Sequence, residues 1–436
     1  MYEGAGGYFG YGYEQAPGIP GTITSYLPMQ SENFEFKAEK KQNPNMTPRG
    51  TKLKGRLTGM TGKGTVKNAP DCESMARMRA HHRGKVDTST LDAGEGVYQH
   101  LLEDLLRSDA EPATYRRTLS GVVYRDDDRP MWMTDGRVQS ITIEAKEGDY
   151  LTVTHEILWG HRSRVGLPVE SAVNAAFTGT LHARGVRRDP ASTSGTTNDV
   201  YVKVITGGAL DGTATIKMKI GSATAYGATV YEVYADRWMV VYDETGLVVG
   251  ASQINPMEIL FHQASGGDVL TADDEWIIPA QQTVAIPTYT ERDVYSGGQV
   301  IAEIDDVQYE VKNWTIKGTF PRTQVGRVGS IFTKTHDNGQ VDWSIDFDRQ
   351  YNDTDFVDAL ESGAESHVYF ECKGDLIGES GIRDSWWLDF PSVEYDDAGT
   401  NNANAGQLQE KVMMSAFDNG SDGICTEGLI NTIATL

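Results

Sequence analysis

The sequence has few cysteines, and it lacks the groupings that cysteines form in disulfide frameworks and zinc sites. Cys72, Cys372 and Cys425 are odd in number and far apart in a chain of 436 residues. No CxxC pair occurs, and no cysteine stands near a histidine at the spacing of metal ligands. The pattern indicates synthesis in a reducing compartment and predicts neither disulfides nor a zinc site.

Long apolar runs are also missing. No segment of about 18 consecutive apolar residues occurs, so we expect no membrane-spanning helix. The apolar fraction of 39% is still enough to build real cores, which excludes a disordered protein. A chain of this length is expected to form two to four domains.

Each stretch that begins like a catalytic motif lacks a residue that the motif requires. After His155 and Glu156, Trp159 stands where a zinc-protease HExxH motif needs its second histidine. In the stretch before Val66, Leu57 and Gly64 replace the first glycine and the Ser or Thr of a phosphate-binding loop. No GxSxG nucleophile motif occurs, and the paired carboxylates lie in turn-like sequence. We therefore predict no enzyme, no catalytic residue, no cofactor and no metal.

The net charge of −23 is unevenly distributed. Residues 1–120 carry 16 basic and 14 acidic side chains, whereas residues 301–436 carry 9 and 25. One interpretation is an ordinary soluble acidic surface. The other is a molecule with a basic end and an acidic end, whose copies stack head to tail through complementary faces. The acidic C-terminal region argues against specific DNA binding.

Two distant stretches share a pattern of residue types. Asn33–Lys37 and Gln308–Lys312 both read amide, aromatic, Glu, apolar, Lys. Each is followed by a short helical pattern and then by three strand-like runs. This order predicts a duplicated β-rich unit.

The first unit begins with an alternating strand over 33–40, followed by a long basic loop or hairpin over 52–67. An apolar stripe at helical spacing comes next, and three strands are expected over 115–124, 138–145 and 150–159. The last two read as a hairpin that turns around Gly148. The residues of the predicted helical stripe are Val97, Tyr98, Leu101, Leu102 and Leu105.

The second unit repeats this order. A strand over 309–316 and a loop over 321–330 lead to a helix that carries Phe356, Val357 and Leu360 and is closed by Gly363. Strands are expected over 367–372, 386–395 and 408–417, with a long polar loop over 396–406. In the alternating strand, Trp386 and Trp387 point to opposite faces, one into the core and one towards a possible interface.

The predicted fold class is mainly β, a β-rich α+β protein with two tandem barrel or sandwich units, each with a short helix. Short β-runs and polar turns over 178–290 predict an inserted outer β-sandwich. Residues 1–30, rich in Gly and Tyr, are read as a flexible arm that lies on a neighbouring subunit or as a frayed terminus. The predicted domains are therefore 1–30, 31–177, 178–290 and 291–436.

The second unit resembles a phage tail tube protein. The resemblance rests on VKNWTIKGTF, on DWSIDFDRQYNDTDFVDALESG and on the segment from Trp386 to Phe417. The first unit resembles the same family through EFKAEK, the stripe from Val97 and the run ITIEAKEGDYLTVTHEIL. The insert is similar to accessory β-domains of phage tail proteins.

The resemblance implies a major tail tube protein of a long-tailed, siphovirus-type bacteriophage. In that family, neighbouring subunits close a continuous β-barrel, usually as a hexameric ring, so a duplicated subunit implies homotrimeric, pseudo-hexameric rings. Helical stacking of the rings would form the virion tail through which the genome is ejected. The implied partners are further copies of the chain and the tail terminator, tape-measure and baseplate proteins, with DNA passing through the lumen unbound. The chain would be made in the host cytoplasm.

Two charged segments are the candidate faces for ring stacking. The basic segment contributes Lys52, Lys54, Arg56, Lys63 and Lys67, and the acidic segment contributes Asp396, Asp397, Asn401 and Asn402. An acidic lumen is expected to let DNA slide. The alternative function is a phage baseplate or tail-tip protein whose 178–290 domain binds a host-surface glycan.

Overall fold

The computed structural model of the chain describes most of the two predicted units and part of the insert. The described residues are 7–14, 23–41, 56–104, 118–125, 130–163, 172–173, 182–187, 200–220, 225–234, 239–242, 256–262, 269–278, 293–309, 311–326, 333–338, 341–351, 354–402, 408–420, 423–434 and 436. Within them, strands dominate and two α-helices occur, so the predicted mainly β fold class is confirmed.

The described residues of the N-terminal part of the chain form one helix and nine strands. The helix is α1 (Ala76–Arg83), and the strands are β1 (Tyr8–Tyr13), β2 (Ser25–Pro28), β3 (Ser31–Lys41), β4 (Arg56–Asn68), β5 (Gly84–Asp92), β6 (Val97–Asp104), β7 (Leu119–Tyr124), β8 (Met131–Lys146) and β9 (Thr152–Ser163).

Where the middle part is described, it contains ten strands. They are β10 (Ala172–Val173), β11 (His182–Arg187), β12 (Val200–Thr206), β13 (Gly208–Ala209), β14 (Asp211–Ile220), β15 (Tyr231–Tyr234), β16 (Met239–Tyr242), β17 (Pro256–His262), β18 (Val269–Leu270) and β19 (Glu275–Ile278).

The C-terminal part begins with a 3-10 turn at Gly297–Gln299 and contains the helix α2 (Asp355–Ser362). Its strands are β20 (Val300–Ile304), β21 (Val307–Gln308), β22 (Val311–Thr319), β23 (Arg322–Gly326), β24 (Thr333–Asn338), β25 (Asp342–Gln350), β26 (Glu365–Leu376), β27 (Arg383–Asn402), β28 (Leu408–Ala416) and β29 (Thr426–Asn431).

The same pattern of strand pairing occurs twice in the main sheet. In the first half, the strands lie in the order β1-β7-β8-β9-β4-β3, and every neighbouring pair is antiparallel. In the second half, the order is β20-β26-β27-β28-β25-β22, again antiparallel throughout. β4 and β25 have the same position in these two spatial orders. Along the chain, each is followed by a helix, β4 by α1 and β25 by α2. We call these halves repeat 1 and repeat 2.

Two local irregularities align the repeats residue by residue. The β8–β9 pairing skips Gln139, and the β27–β28 pairing skips Asp396, so the two bulges are equivalent. Between the first two long strands, Phe36 lies opposite Gly62 in repeat 1, and Gly318 lies opposite Trp343 in repeat 2. In both cases an aromatic ring fills the space above a glycine, but the two strands have exchanged these residue types.

This alignment differs from the sequence match that suggested a duplication. If Phe36 is equivalent to Gly318, then Phe34 is equivalent to Ile316 and not to Tyr309. The shared five-residue pattern is therefore out of structural register by seven residues. The repeated order of elements behind it is present in the structure, because pairing topology is preserved after individual side chains have diverged.

The two repeats share one sheet and one core. β8 of repeat 1 pairs with β22 of repeat 2, and β6 pairs with β29. The largest buried side chains come from both repeats and belong to one continuous apolar cluster, including Trp159, Trp343 and Trp386. As predicted, one ring of this pair is in the core: it is Trp386, while Trp387 covers Gly428 on the other face.

The strands of the predicted insert form separate small sheets. The larger one has the order β10-β19-β12-β14-β15, and a second one has the order β11-β17-β16. Val202, Val204, Ile216 and Phe261 are among their buried residues. In the described part of the chain these strands pair only with one another, and the boundaries at 178 and 290 stay a prediction.

The predicted helix after Gly96 is wrong. Val97–Asp104 is strand β6, which lies between β5 and β29, and Leu105 lies outside the described residues. A stripe at i, i+1, i+4 and i+5 fits a helix, but here pairing on both edges provides the backbone hydrogen bonds of a strand. The helix of repeat 1 is α1, and the second helix, which ends at Gly363 in the left-handed conformation, is confirmed as α2.

The predicted basic loop or hairpin of 52–67 is also corrected from residue 56 onward. Arg56–Asn68 is strand β4, paired with β3 on one edge and with β9 on the other. Its glycines allow this, because the ring of Phe36 packs over Gly62 and the ring of Phe34 over Gly64. The predicted loop of 396–406 is a strand as far as Asn402, where β27 pairs with β28, and the predicted hairpin of β8 and β9 is confirmed.

The predicted flexible arm contains a buried strand. β1 pairs with β7 along its whole length, and Tyr8, Phe9 and Tyr11 are buried. The segment has few aliphatic residues, but each aromatic ring buries a large apolar area. β1 has the same position in repeat 1 that β20 has in repeat 2, so Tyr8–Tyr13 belongs to the first unit.

Candidate assembly interface

The junction between the two repeats is an antiparallel strand pair. Residues 140–146 of β8 lie opposite residues 319–313 of β22. Ile143 faces Ile316 on the buried side, and Thr142 faces Lys317 on the exposed side. Core residues and backbone hydrogen bonds therefore join the repeats without a gap in the sheet.

The bulge residue marks the edge of this junction. The backbone N–H of Phe320 donates a 2.7 Å hydrogen bond to the carbonyl of Gln139. β9 lies along one edge of β8, so β7 and β22 share the other edge, β7 before the bulge and β22 after it.

The equivalent edge in repeat 2 has no strand beside it in the described part of the chain. β26 and β28 both pair with Val393 and Glu394, so they lie on opposite edges of β27. Beyond Glu394, β28 alone continues, as far as Asn402. Among the described strands, none therefore pairs with β27 from Tyr395 to Asn402 on the edge that is equivalent to the β22-binding edge of β8.

The complementary edge is at the start of repeat 1. β3 is equivalent to β22, and among the described strands it pairs only with β4. Asn33, Glu35 and Lys37 are exposed, while Phe34 and Phe36 alternate with them and are half-buried. This is an amphipathic edge strand eleven residues long, a type of surface that readily pairs with another strand.

The structure separates the residues predicted for ring stacking. Lys52 and Lys54 lie outside the described residues, and Arg56 is the first residue of β4. Lys63 forms an ion pair with Glu156, and Lys67 Nζ lies 3.4 Å from Glu144 Oε2. These two lysines are therefore matched by carboxylates of the same chain.

The acidic half of the predicted set lies on the open edge strand. Asp396 is the bulge residue and accepts a hydrogen bond from the hydroxyl of Ser415. Asp397 is exposed and follows directly, while Asn401 and Asn402 close the paired part of β27. The two halves of the set thus lie in different repeats, on strands that do not pair with each other.

The exposed face of the sheet is charged, and its acidic character concentrates in repeat 2. Burial raises the pKa of Asp346, which Lys411 and Lys317 lower and Asp348 and Asp396 raise. These five side chains act on one another because they project from the same face of β22, β25, β27 and β28. In repeat 1, Lys63 and Lys67 of β4 each form an ion pair with a glutamate.

A buried ionic cluster connects α1 to repeat 2. The guanidinium of Arg79 donates two hydrogen bonds of 2.6 Å to the carboxylate of Glu427, and both side chains are fully buried. Trp386 Nε1 donates to the same carboxylate at 2.8 Å, and Arg83 Nε lies 3.8 Å from it. We call these four residues the Arg79 cluster.

The two helices differ strongly in burial. Seven of the eight residues of α1 are buried, partly by repeat 2, where Phe320 packs on His82 and Trp343 lies under Arg83. In α2, only Phe356 is buried. The exposed face of α2 is acidic, with Asp355, Asp358 and Glu361. The helix that has a following repeat in its own chain is covered, and the helix at the last repeat is not.

His155, the histidine of the incomplete zinc-protease motif, lies in the core. His155 is fully buried in β9, and burial together with Arg79 lowers its pKa to about 3, so its ring is neutral. Among the described residues, no group of three or more His, Cys, Asp or Glu side chains is arranged to bind an ion. The same part of the chain has no helix long and apolar enough to cross a membrane.

Neither the protein-family models nor the curated proteins contain a match to this sequence. The internal repeat and the edges of β3 and β27 define the candidate interface.

The sequence identified one of these edges but not its role. The polar residues of DDAGTNNANAG, which begins at Asp396, predict a loop too long for a tight turn. The edge of β3 was visible as an alternating strand, but its open side depends on where β4 pairs. The signal that could have connected them is the repeated order of strands, since the junction within the chain is the template for both edges.

Proposed function

We propose that this chain is the major tail tube subunit of a long-tailed bacteriophage, a structural protein whose copies form hollow stacked rings through which DNA is ejected. One observation carries the proposal. The chain contains a complete junction between two equivalent repeats, the β8–β22 pair. Its β27 edge is equivalent to the β8 side of that junction, and its β3 edge is equivalent to the β22 side.

Such a chain is suited to self-association in a closed ring. The β27 edge of repeat 2 is complementary to the β3 edge of repeat 1, so each added chain reproduces the junction that β8 and β22 form within the chain. Closure pairs the β3 edge with the β27 edge, which protects these two strands from open-ended pairing. The resemblance to a six-unit family, combined with two units per chain, leads to a ring of three chains.

The character of the two sheet faces supports a tube. The buried face carries the aromatic core, while the other face carries charged and polar side chains with an acidic excess in repeat 2. If that face lines the lumen, a negatively charged wall would repel DNA phosphates and allow the genome to pass without binding. Stacking of rings then requires a different, heterologous surface.

Electron microscopy of the purified full-length chain tests this proposal. We expect hollow rings or tubes, with three chains per ring by native mass spectrometry. In virions, the chain should be among the most abundant proteins. Monomers or compact trimers without a channel, or a few copies per virion, would contradict a tube subunit and favour the tail-tip function.

A further inference from the structure

We propose a specific register for the junction between neighbouring chains, which rests on the ring of the proposed function. β3 of one chain pairs antiparallel with β27 of the next, with Lys37 opposite Asp397 and Phe36 opposite Ala398. The partner is a second copy of this chain, because only another copy offers the equivalent of the strand that β8 binds.

The register follows from the two alignments of the repeats. Gly318 is equivalent to Phe36, since each is half of an aromatic–glycine pair at the same place. Within the chain, Gly318 lies opposite Ile141, two residues after the bulge residue Gln139. Two residues after the other bulge residue, Asp396, is Ala398. Phe36 therefore takes Ala398 as its partner.

The neighbouring positions extend this register along the edge. Thr319 lies opposite Ser140 within the chain, and the equivalent residues are Lys37 and Asp397. Further along, Glu35 takes Gly399, and Asn33 takes Asn401. The segment predicted as an acidic stacking face thus provides lateral closure between chains.

The side chains fit this register on both faces. Lys37 and Asp397 are exposed on the polar face, so opposite charges meet directly. Glu35 faces a glycine, which removes a like-charge contact. On the core side, Phe36 and Ala398 are both half-buried, and because the Phe36 ring packs over Gly62 of its own chain, the small Ala398 can lie opposite Phe36 without displacing the ring.

Alternative registers are disfavoured for physical reasons. A slip of one residue would turn Phe34 and Phe36 to the polar face, because side chains alternate along a strand. A slip of two residues in one direction would place Glu35 opposite Asp397, and like charges directly opposed are destabilising. The charge pattern therefore specifies one pairing among several that backbone geometry alone allows.

Cysteine cross-linking tests the register. Directly opposed residues of an antiparallel pair have Cα atoms about 4.5–5.5 Å apart, a separation that a disulfide can bridge. The native cysteines are all buried, and burial raises the pKa of the Cys72 and Cys372 thiols, so their background reaction should be low. In the double variant Lys37→Cys/Asp397→Cys, mild oxidation of assembled protein should link chains into dimers and trimers.

The pattern of products reports both partner and ring size. A covalently closed trimer should be the largest product on a denaturing gel. A mixture of the single variants Lys37→Cys and Asp397→Cys should stop at dimers, because each chain then carries one thiol at the junction. Ladders that continue beyond three chains would overturn a three-chain closure.

The matched control is Glu35→Cys/Asp397→Cys, which uses the same strands and the same exposed face. In the proposed register these two positions are not opposite each other, because they are offset by two residues along the strand. The larger distance between the two cysteines should reduce cross-linking at least about tenfold. The variant Glu35→Cys/Gly399→Cys should link as well as the first pair. Equal or stronger linking of the control pair would show that the register is wrong.

The outcomes distinguish a failure of the proposed junction from a failure of the proposed tube function. Rings that form while neither in-register pair links would overturn this junction and leave the tube function standing. Absence of rings in the wild-type chain would contradict the proposed function and the junction together. Circular dichroism of each variant shows that it folds before assembly is scored.

Discussion

One core position of strand β9 carries a histidine, although the buried positions of an alternating strand are usually apolar. His155 occupies a core position of β9, opposite Val66 of β4 and Ile141 of β8. A histidine there is tolerated in its neutral form, because burial and the nearby Arg79 both oppose a positive charge. Sequence alone identified His155 as a strand residue without a zinc partner. Its burial depends on two strands that are distant in sequence.

The buried histidine predicts a loss of stability in mild acid. The folded pKa is lowered to about 3, whereas the unfolded chain binds the proton near its ordinary value of 6.5. Below that pH the unfolded state holds more protons, so the free energy of unfolding falls, by up to about 1.4 kcal/mol per pH unit. Above that pH this contribution is fully present.

Denaturant unfolding of His155→Leu at pH 7 and pH 5 measures this effect. The loss between the two pH values should be roughly 2 kcal/mol smaller than in wild type. Thr154→Leu, on the exposed side of the same strand, controls for the added leucine and should keep the wild-type pH dependence. An unchanged pH dependence in His155→Leu would show that this histidine is not the group responsible.

Elements were predictable where local signals were complete. The β8–β9 hairpin has alternation on both strands and a glycine turn, and α2 has an apolar stripe and a left-handed glycine at its end. β6 and β4 were not predictable, because their strand character comes from partners elsewhere. β6 is sandwiched between β5 and β29, and the glycines of β4 accept rings from β3.

The strand β1 predicts that the N-terminal segment stabilises the single chain. Removing residues 1–14 would expose the β7 edge and delete the buried Tyr8, Phe9 and Tyr11. Each buried aromatic contributes about 1.5–3 kcal/mol, so the thermal midpoint of the dilute monomer should fall by more than about 5 °C.

A shorter deletion, of residues 1–6, retains β1 and is the control for this experiment. Calorimetry on unassembled protein separates folding from assembly. If the longer deletion leaves the monomer midpoint unchanged and affects assembly alone, the segment acts between subunits, as the flexible-arm hypothesis holds.

At the scale of the whole molecule, the Arg79 cluster joins the two repeats through their shared core. Glu427 of repeat 2 accepts hydrogen bonds from Arg79 and Trp386, with Arg83 nearby. Removing one partner of a buried ion pair leaves an uncompensated charge, whereas exposed pairs contribute little. The cluster therefore matters more for the junction of the repeats than the lysine–glutamate pairs on the surface.

The substitution Glu427→Gln tests this difference. It should lower the free energy of unfolding by about 3–5 kcal/mol in urea titrations. Glu103→Gln breaks the exposed pair with Lys85 and should cost less than about 1 kcal/mol. Similar costs for the two variants would mean that the buried carboxylate is not the main counter-charge of the two arginines.

The linear sequence was enough to establish a mainly β protein with a repeated order of elements, the α2 helix and the β8–β9 hairpin. These features depend on alternation, spacing and turn residues, which act over a few neighbours. The five-residue match that suggested the duplication proved to be out of register. Equivalent positions carry different residue types: Phe36 corresponds to Gly318, and Gly62 corresponds to Trp343.

Long-range pairing decided the remaining features. Whether a segment is a loop, a central strand or an open edge depends on which distant strand lies beside it. That choice made β4 a core strand and left the edges of β3 and β27 unpaired in the described chain. Pairing between strands that are distant in sequence has no local signature, so the candidate interface became visible only in the folded molecule.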